Sequence, residues 1–193
     1  MVQPAAGRYR RIAQVFGASA LLFCIFTLFS IYVWTAPLGW AWHLFYGRHV
    51  SFQRRKLPVP WDFFVIRSQD DAIAISRPPS EYALIDSPSG MMLIASHRGY
   101  RPDLSKDYDK FTNTMADLRI SYGVRLRAVR RLSSSTGIGY CWEFMQFDYR
   151  AVEIVCYFDK NTLSLTYTGS PEYREEFYSV VAPFTDRPPE LVQ

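Results

Sequence analysis

From Ile12 to Ala36 the chain reads IAQVFGASALLFCIFTLFSIYVWTA, 25 residues without a charge. At about 1.5 Å per helical residue such a run spans a hydrocarbon core of roughly 30 Å. The sequence therefore predicts a single N-terminal transmembrane helix over 12–36. A signal-peptide apolar region is shorter, and no small-x-small cleavage site follows this run. Leu22 and Phe23 are too bulky for the residues that precede a lipidated cysteine, so Cys24 is read as an apolar filler within the helix. Gly17 and Ala20, with Ala18 and Ser19 between them, form a small-residue patch suited to packing against another membrane helix.

Aromatic residues crowd the far end of the run. Trp34, Trp40 and Trp42 are read as interfacial anchors, their rings matching headgroup depth. Pro37 and Gly39 are expected to end the helix, leaving residues 37–47 as an aromatic segment lying along the surface. His43 in that segment is expected to serve as an anchor rather than as a haem or pigment ligand.

Net charge is +4, but Arg8, Arg10 and Arg11 precede the first acidic residue, Asp62, and the remainder carries 19 basic against 18 acidic residues. A nucleic-acid-binding domain concentrates a basic excess on its folded part. This distribution argues against nucleic acid as a partner. A length of 193 residues allows one sizeable core behind a membrane segment. Arginines flank the apolar run on both sides, with Arg48, Arg54, Arg55 and Lys56 after it, so charge alone does not orient it.

Orientation rests on GYCWEFMQFDYRAVEIVCYFDK, where Cys141 and Cys156 stand fifteen positions apart. If the two halves pair as a hairpin centred on Asp148 and Tyr149, these cysteines lie opposite each other. Opposed Cα atoms are then about 4.5 or 5.5 Å apart, within disulfide reach. Buried free thiols are the alternative, and no further ligands accompany the pair to make a metal site. The expectation is a disulfide, hence an oxidising compartment. With it go residues 1–11 as a basic cytoplasmic arm, 48–184 as an extracytoplasmic α+β domain, and 185–193 as a loose tail.

Within 48–184, short alternating runs separated by turn residues predict strands near His49 to Gln53, Asp62 to Arg67, DAIAISRP, YALID, MMLIASH, VRLRAV, the two halves of the cysteine hairpin, and LSLTYT. Leu104, Tyr108, Phe111, Met115 and Leu118 recur at helical spacing and predict one long helix. Ser170 and Pro171 predict the start of a second, with Tyr173, Phe177, Val180 and Phe184 as its buried stripe. The fold class expected is α+β, an antiparallel sheet covered by two main helices behind the membrane helix.

The element order, together with LPVPWDFF near the start, SPSGMMLIASHRG before the first long helix and LTYTGSPEYREEFYSVV at the end, resembles the α/β/α sandwich of PsbP-like domains over roughly residues 48 to 184. The resemblance implies no shared catalytic set. It implies an accessory or assembly role on a membrane complex.

No GxSxG elbow, HExxH, P-loop, Ser-x-x-Lys or dinucleotide fingerprint occurs. His97, with Arg98 and Asp103, is the best acid–base cluster, but no nucleophile stands beside it. Asp107 and Asp109 do not share a helix face and do not make a metal pair. Arg119, Arg125, Arg127, Arg130 and Arg131 form the densest basic run, a candidate patch for an anionic partner. Together these features predict a non-enzymatic, single-pass accessory or scaffold subunit of an integral membrane protein complex, with no cofactor. A tethered enzyme or a lipid- or ligand-binding module acting on envelope material is the alternative.

Overall fold

The computed structural model describes residues 17, 19–26, 36–77, 90–96, 102–120, 123–135, 137–146 and 151–192. Its centre is an eight-stranded sheet in the order β10-β6-β7-β8-β9-β5-β4-β3, every neighbouring pair antiparallel. The strands are β3 (Phe64–Ser68), β4 (Ala72–Arg77), β5 (Gly90–Ser96), β6 (Val124–Ser134), β7 (Gly137–Gln146), β8 (Val152–Phe158), β9 (Leu163–Gly169) and β10 (Glu190–Leu191). A separate hairpin pairs β1 (His49–Phe52) with β2 (Arg55–Pro58).

Period-two alternation gives this sheet two apolar faces, and each takes a helix. On one face Ile73, Ile75, Met92, Ile94, Leu165 and Tyr167 are buried with Phe177, Val180 and Val181 of helix α3 (Arg174–Val181). On the other, Trp142, Phe144 and Val129 pack with Leu104, Tyr108, Phe111 and Met115 of helix α2 (Leu104–Ile120). The Trp142 indole also donates to the Thr112 hydroxyl at 2.9 Å, tying α2 to the strand beneath it. Asp159, in the turn after β8, accepts the amides of Leu104 and Ser105 and so caps the start of α2. Leu118, expected on the buried stripe, is 60% exposed; at this end of α2 it is Arg119 that turns to the sheet, over Phe144.

The expected membrane-spanning helix is corrected. Among the described residues no helix is long and apolar enough to cross a membrane. Residues 17 and 19–26 are helical, and helix α1 spans Ala36–Tyr46. Pro37 sits in the first turn of α1, where its missing N–H costs nothing, so it starts a helix instead of ending one. Residues 12–16, 18 and 27–35 of that run, Trp34 included, lie outside the described residues. The single-pass localisation, with a cytoplasmic N-terminus and an extracytoplasmic domain, loses its basis with the helix. What the structure has is a mostly antiparallel sheet domain with short helices.

The tail differs too. Glu190 and Leu191 pair with Arg131 and Arg130, while the amides of Asp186 and Val192 donate to the carbonyls of Ser133 and Val129, each at 2.8 Å. Pro188 and Pro189 favour extended backbone in the residues just before them. Leu191 and Val192 remain exposed, so the free backbone edge of β6 holds this strand, not burial.

Cys141 and Cys156 are bonded, with Cα atoms 4.0 Å apart. They face each other in a β7–β8 register running unbroken from Gly139↔Phe158 to Met145↔Val152.

Candidate docking surface

Helix α1 is held to the domain by its small and polar side. A Cβ built on Gly39 would stand 2.6 Å from the carbonyl oxygen of Trp61 and 2.9 Å from the carbonyl carbon of Asp62, so only glycine allows this approach. One turn on, His43 is 6% exposed, and its ring nitrogens lie 2.9 Å from the carbonyls of Gly47 and Pro60. Both ring nitrogens face carbonyls of the chain, so neither is turned toward an outside ligand. Trp42 packs onto the main core and stacks on Tyr46 at 5.5 Å.

Gly39→Ala ordinarily gains helix stability, by about 1 kcal/mol. Here the new methyl meets backbone that cannot yield, and overpacking costs about 1–3 kcal/mol. The expected result is a lower urea midpoint with a changed tryptophan emission as α1 lifts from Trp61. A midpoint at or above that of the parent chain would show that α1 does not depend on this contact.

The opposite side of α1 faces out with its largest groups. Leu44 is 85% and Phe45 84% exposed, and Trp40 is half-exposed; Tyr46, three residues after His43 and four after Trp42, shares their side of the helix and is exposed at its end. Large side chains clustered at that exposure mark interaction sites on folded domains. Arg48 follows the helix and stacks over Trp61 at 4.3 Å, and Arg54 and Lys56 are exposed on the adjoining hairpin. No acidic residue occurs before Asp62, so the charges on the segment that follows the helix, Arg48 to Lys56, are all basic. Arg55 differs from its neighbours: it is half-buried, donates to the Pro183 carbonyl and lies over Phe184.

No family model and no curated protein matches this chain.

The other predicted positions fall in several places. Gly17 and Ala20 are exposed in the helical residues near the start, and nothing described lies within 4 Å of a Cβ built at Gly17. Of the three tryptophan anchors, Trp40 faces out and Trp42 faces in. His97 and Arg98 lie outside the described residues, and Asp103 takes a local role at the start of α2. There the Ser105 hydroxyl, donating at 2.7 Å, holds the Asp103 carboxyl below its usual range. Among the described residues no group of three His, Cys, Asp or Glu side chains is placed to hold a metal.

The five arginines do not form one patch. Arg119 makes a paired contact with Glu153, at 2.6 and 2.8 Å, and lies over Phe144. Arg130 reaches the opposite face of the sheet and bonds Glu143 at 2.5 Å. A register shift between Leu126 and Ala128 makes Arg127 the extra residue of a bulge, so Arg125 and Arg127 do not share a regular strand face. Arg131 stands opposite Glu190 of β10.

Sequence reasoning missed Glu143. It is 1% exposed and accepts from Arg130 and from the Tyr178 hydroxyl at 2.7 Å, with Arg174 at 3.7 Å. Burial raises the Tyr178 hydroxyl far above its usual range, and the charge and hydrogen bond of Glu143 add to that push. The available signal was a single glutamate on the same strand face as Cys141 and Met145, a position that otherwise calls for an apolar residue.

Proposed function

We propose that this chain is a non-enzymatic accessory or scaffold subunit that docks on a larger protein complex through the outward face of α1. The observation that carries the reading is the cluster of Trp40, Leu44 and Phe45 on a helix whose other side is fixed by Gly39 and His43. Aromatic anchors presented on a rigid element are the usual core of an interface, and a charged rim selects the partner. The cationic rim of Arg48, Arg54 and Lys56 specifies a receiving surface that is apolar at its centre and acidic at its edge. The element order that resembles PsbP-like domains supports an accessory role by analogy.

The test compares the native mass of the full chain, recovered gently from its own cells, with that of a W40S/L44S/F45S variant. The parent chain is expected in a large defined complex, and the variant as a monomer whose unfolding midpoint falls only by what the half-buried Trp40 contributes, since Leu44 and Phe45 already face solvent. A parent chain that is monomeric, or a variant that stays in the complex, overturns the reading.

A further inference from the structure

Where the β1–β2 hairpin meets the turn after β8 and the residues that follow α3, there is a small pocket of about 70 Å³. Gln53, Arg55, Phe158, Asn161, Leu163 and Phe184 line it. Its size is several times the roughly 10–15 Å³ that admits one water, and far below the roughly 300 Å³ at which sites for organic ligands begin. The occupant it suits is a group of a few heavy atoms. Phe158, Leu163 and Phe184 are buried and give it an apolar floor. Its polar lining is one cation and two amides, with no carboxylate.

Two observations give the pocket its chemistry. First, Arg55 is a half-buried cation that makes no ion pair among the described residues: it gives one hydrogen bond, to the Pro183 carbonyl, and lies over the ring of Phe184. Arg119, Arg130 and Arg174, also half-buried, each hold a glutamate. A guanidinium carries five N–H donors in a fork that fits two oxygens of one anion, so most of the Arg55 donor set is unspent. A charge drawn partly out of water calls for a counter-charge. Asn161 adds a donor, because its oxygen accepts the Leu163 amide at 3.1 Å and its NH2 group is what remains. Second, backbone strain collects beside the pocket. Among the described residues the non-glycine positions with positive φ are Gln53 (46°), Arg54 (66°) and Lys160 (52°). Gln53 lines the pocket, Arg54 stands between it and Arg55, and Lys160 precedes Asn161. A two-residue hairpin turn in this conformation ordinarily takes Asn-Gly or Asp-Gly. Such strain persists where the surroundings over-determine it, and it gathers at ligand clamps. It also places two exposed cations, Arg54 and Lys160, in the segments that border the pocket.

We infer that this pocket binds one small tetrahedral oxyanion, of the size of phosphate or sulfate. Arg55 is its charged partner, the amides of Asn161 and Gln53 are further donors, and the two strained turns are the frame that holds them. The inference stands apart from the docking reading, since none of these residues belongs to α1.

The experiment titrates the full, oxidised chain with inorganic phosphate, sulfate and acetate, following the backbone amide resonances of Gln53, Arg54 and Lys160. Chloride holds the ionic strength constant, so that screening does not change along the titration. Phosphate and sulfate are expected to shift these resonances saturably, and acetate to bind more weakly. Asn161→Asp keeps the acceptor for the Leu163 amide and turns the free donor into a negative charge, so the affinity should fall at least tenfold. Arg55→Lys keeps the charge but loses the fork, and its affinity should fall several-fold. That second variant keeps the test valid if the first folds poorly. Lys110→Gln on α2 should bind as the parent does. No saturable shift with phosphate or sulfate, or variants at Asn161 and Arg55 that bind as the parent does, overturns the inference. Acetate binding more tightly than either tetrahedral anion overturns it as well.

Discussion

Reducing the Cys141–Cys156 bond should destabilise the domain by about 3 kcal/mol, the loop-entropy value for roughly fifteen enclosed residues. The bond joins strands that are already neighbours in register over seven residue pairs, so the folded state gives up little when it breaks. The unfolded chain gains a loop's worth of freedom, and the unfolding midpoint falls. For a domain of this size the thermal midpoint should drop by roughly 6–12 °C. C141A/C156A should fall slightly further than the reduced parent, because both sulfur atoms are fully buried and their loss leaves a small void. Urea unfolding of the oxidised, reduced and double-alanine chains, with free thiols counted by mass, checks the order. Equal midpoints for oxidised and fully reduced protein would mean that the bond adds nothing to stability.

The opposition of the two cysteines was legible from spacing, because antiparallel register is arithmetic, while their bonding stood as an expectation beside free thiols. Once both segments read as strands, a pair fifteen apart can meet across an even turn. The sheet and its two covering helices were legible for a related reason: Leu104, Tyr108, Phe111 and Met115 on one element and Ile73, Ile75, Met92 and Ile94 on others carry the periods that burial imposes. What escaped is what no period encodes. The bulge at Arg127 breaks an alternation that the letters VRLRAV keep intact. Strand β10 buries nothing and is held by backbone alone, so TDRPPELVQ looks like a tail. Helix α1 illustrates a different limit. Its composition is apolar throughout, and the sequence cannot show that Gly39 faces a carbonyl while Leu44 faces solvent. The 25 uncharged residues were read by length and hydropathy, which do not specify one continuous helix.

Removing the carboxylate of Glu143 should cost about 3–5 kcal/mol for Glu143→Ala. The residue lies under α3 with almost no exposure, and it collects Arg130 from β6 and Arg174 and Tyr178 from α3. Alanine leaves a buried hydroxyl without its acceptor and a half-buried guanidinium without its counter-charge. Glu143→Gln keeps an acceptor and loses the charge, so its cost should be about 1.5–3 kcal/mol, the range for a hydrogen bond to a charged group. Tyr178→Phe removes one donor and leaves the arginines in place, at about 1 kcal/mol. In a double-mutant cycle Glu143→Ala and Tyr178→Phe should couple by about 1–3 kcal/mol, since the hydroxyl is orphaned only when the carboxylate goes first. Urea midpoints of the four chains measure this, and a cost for Glu143→Ala below that of Tyr178→Phe would sink the account.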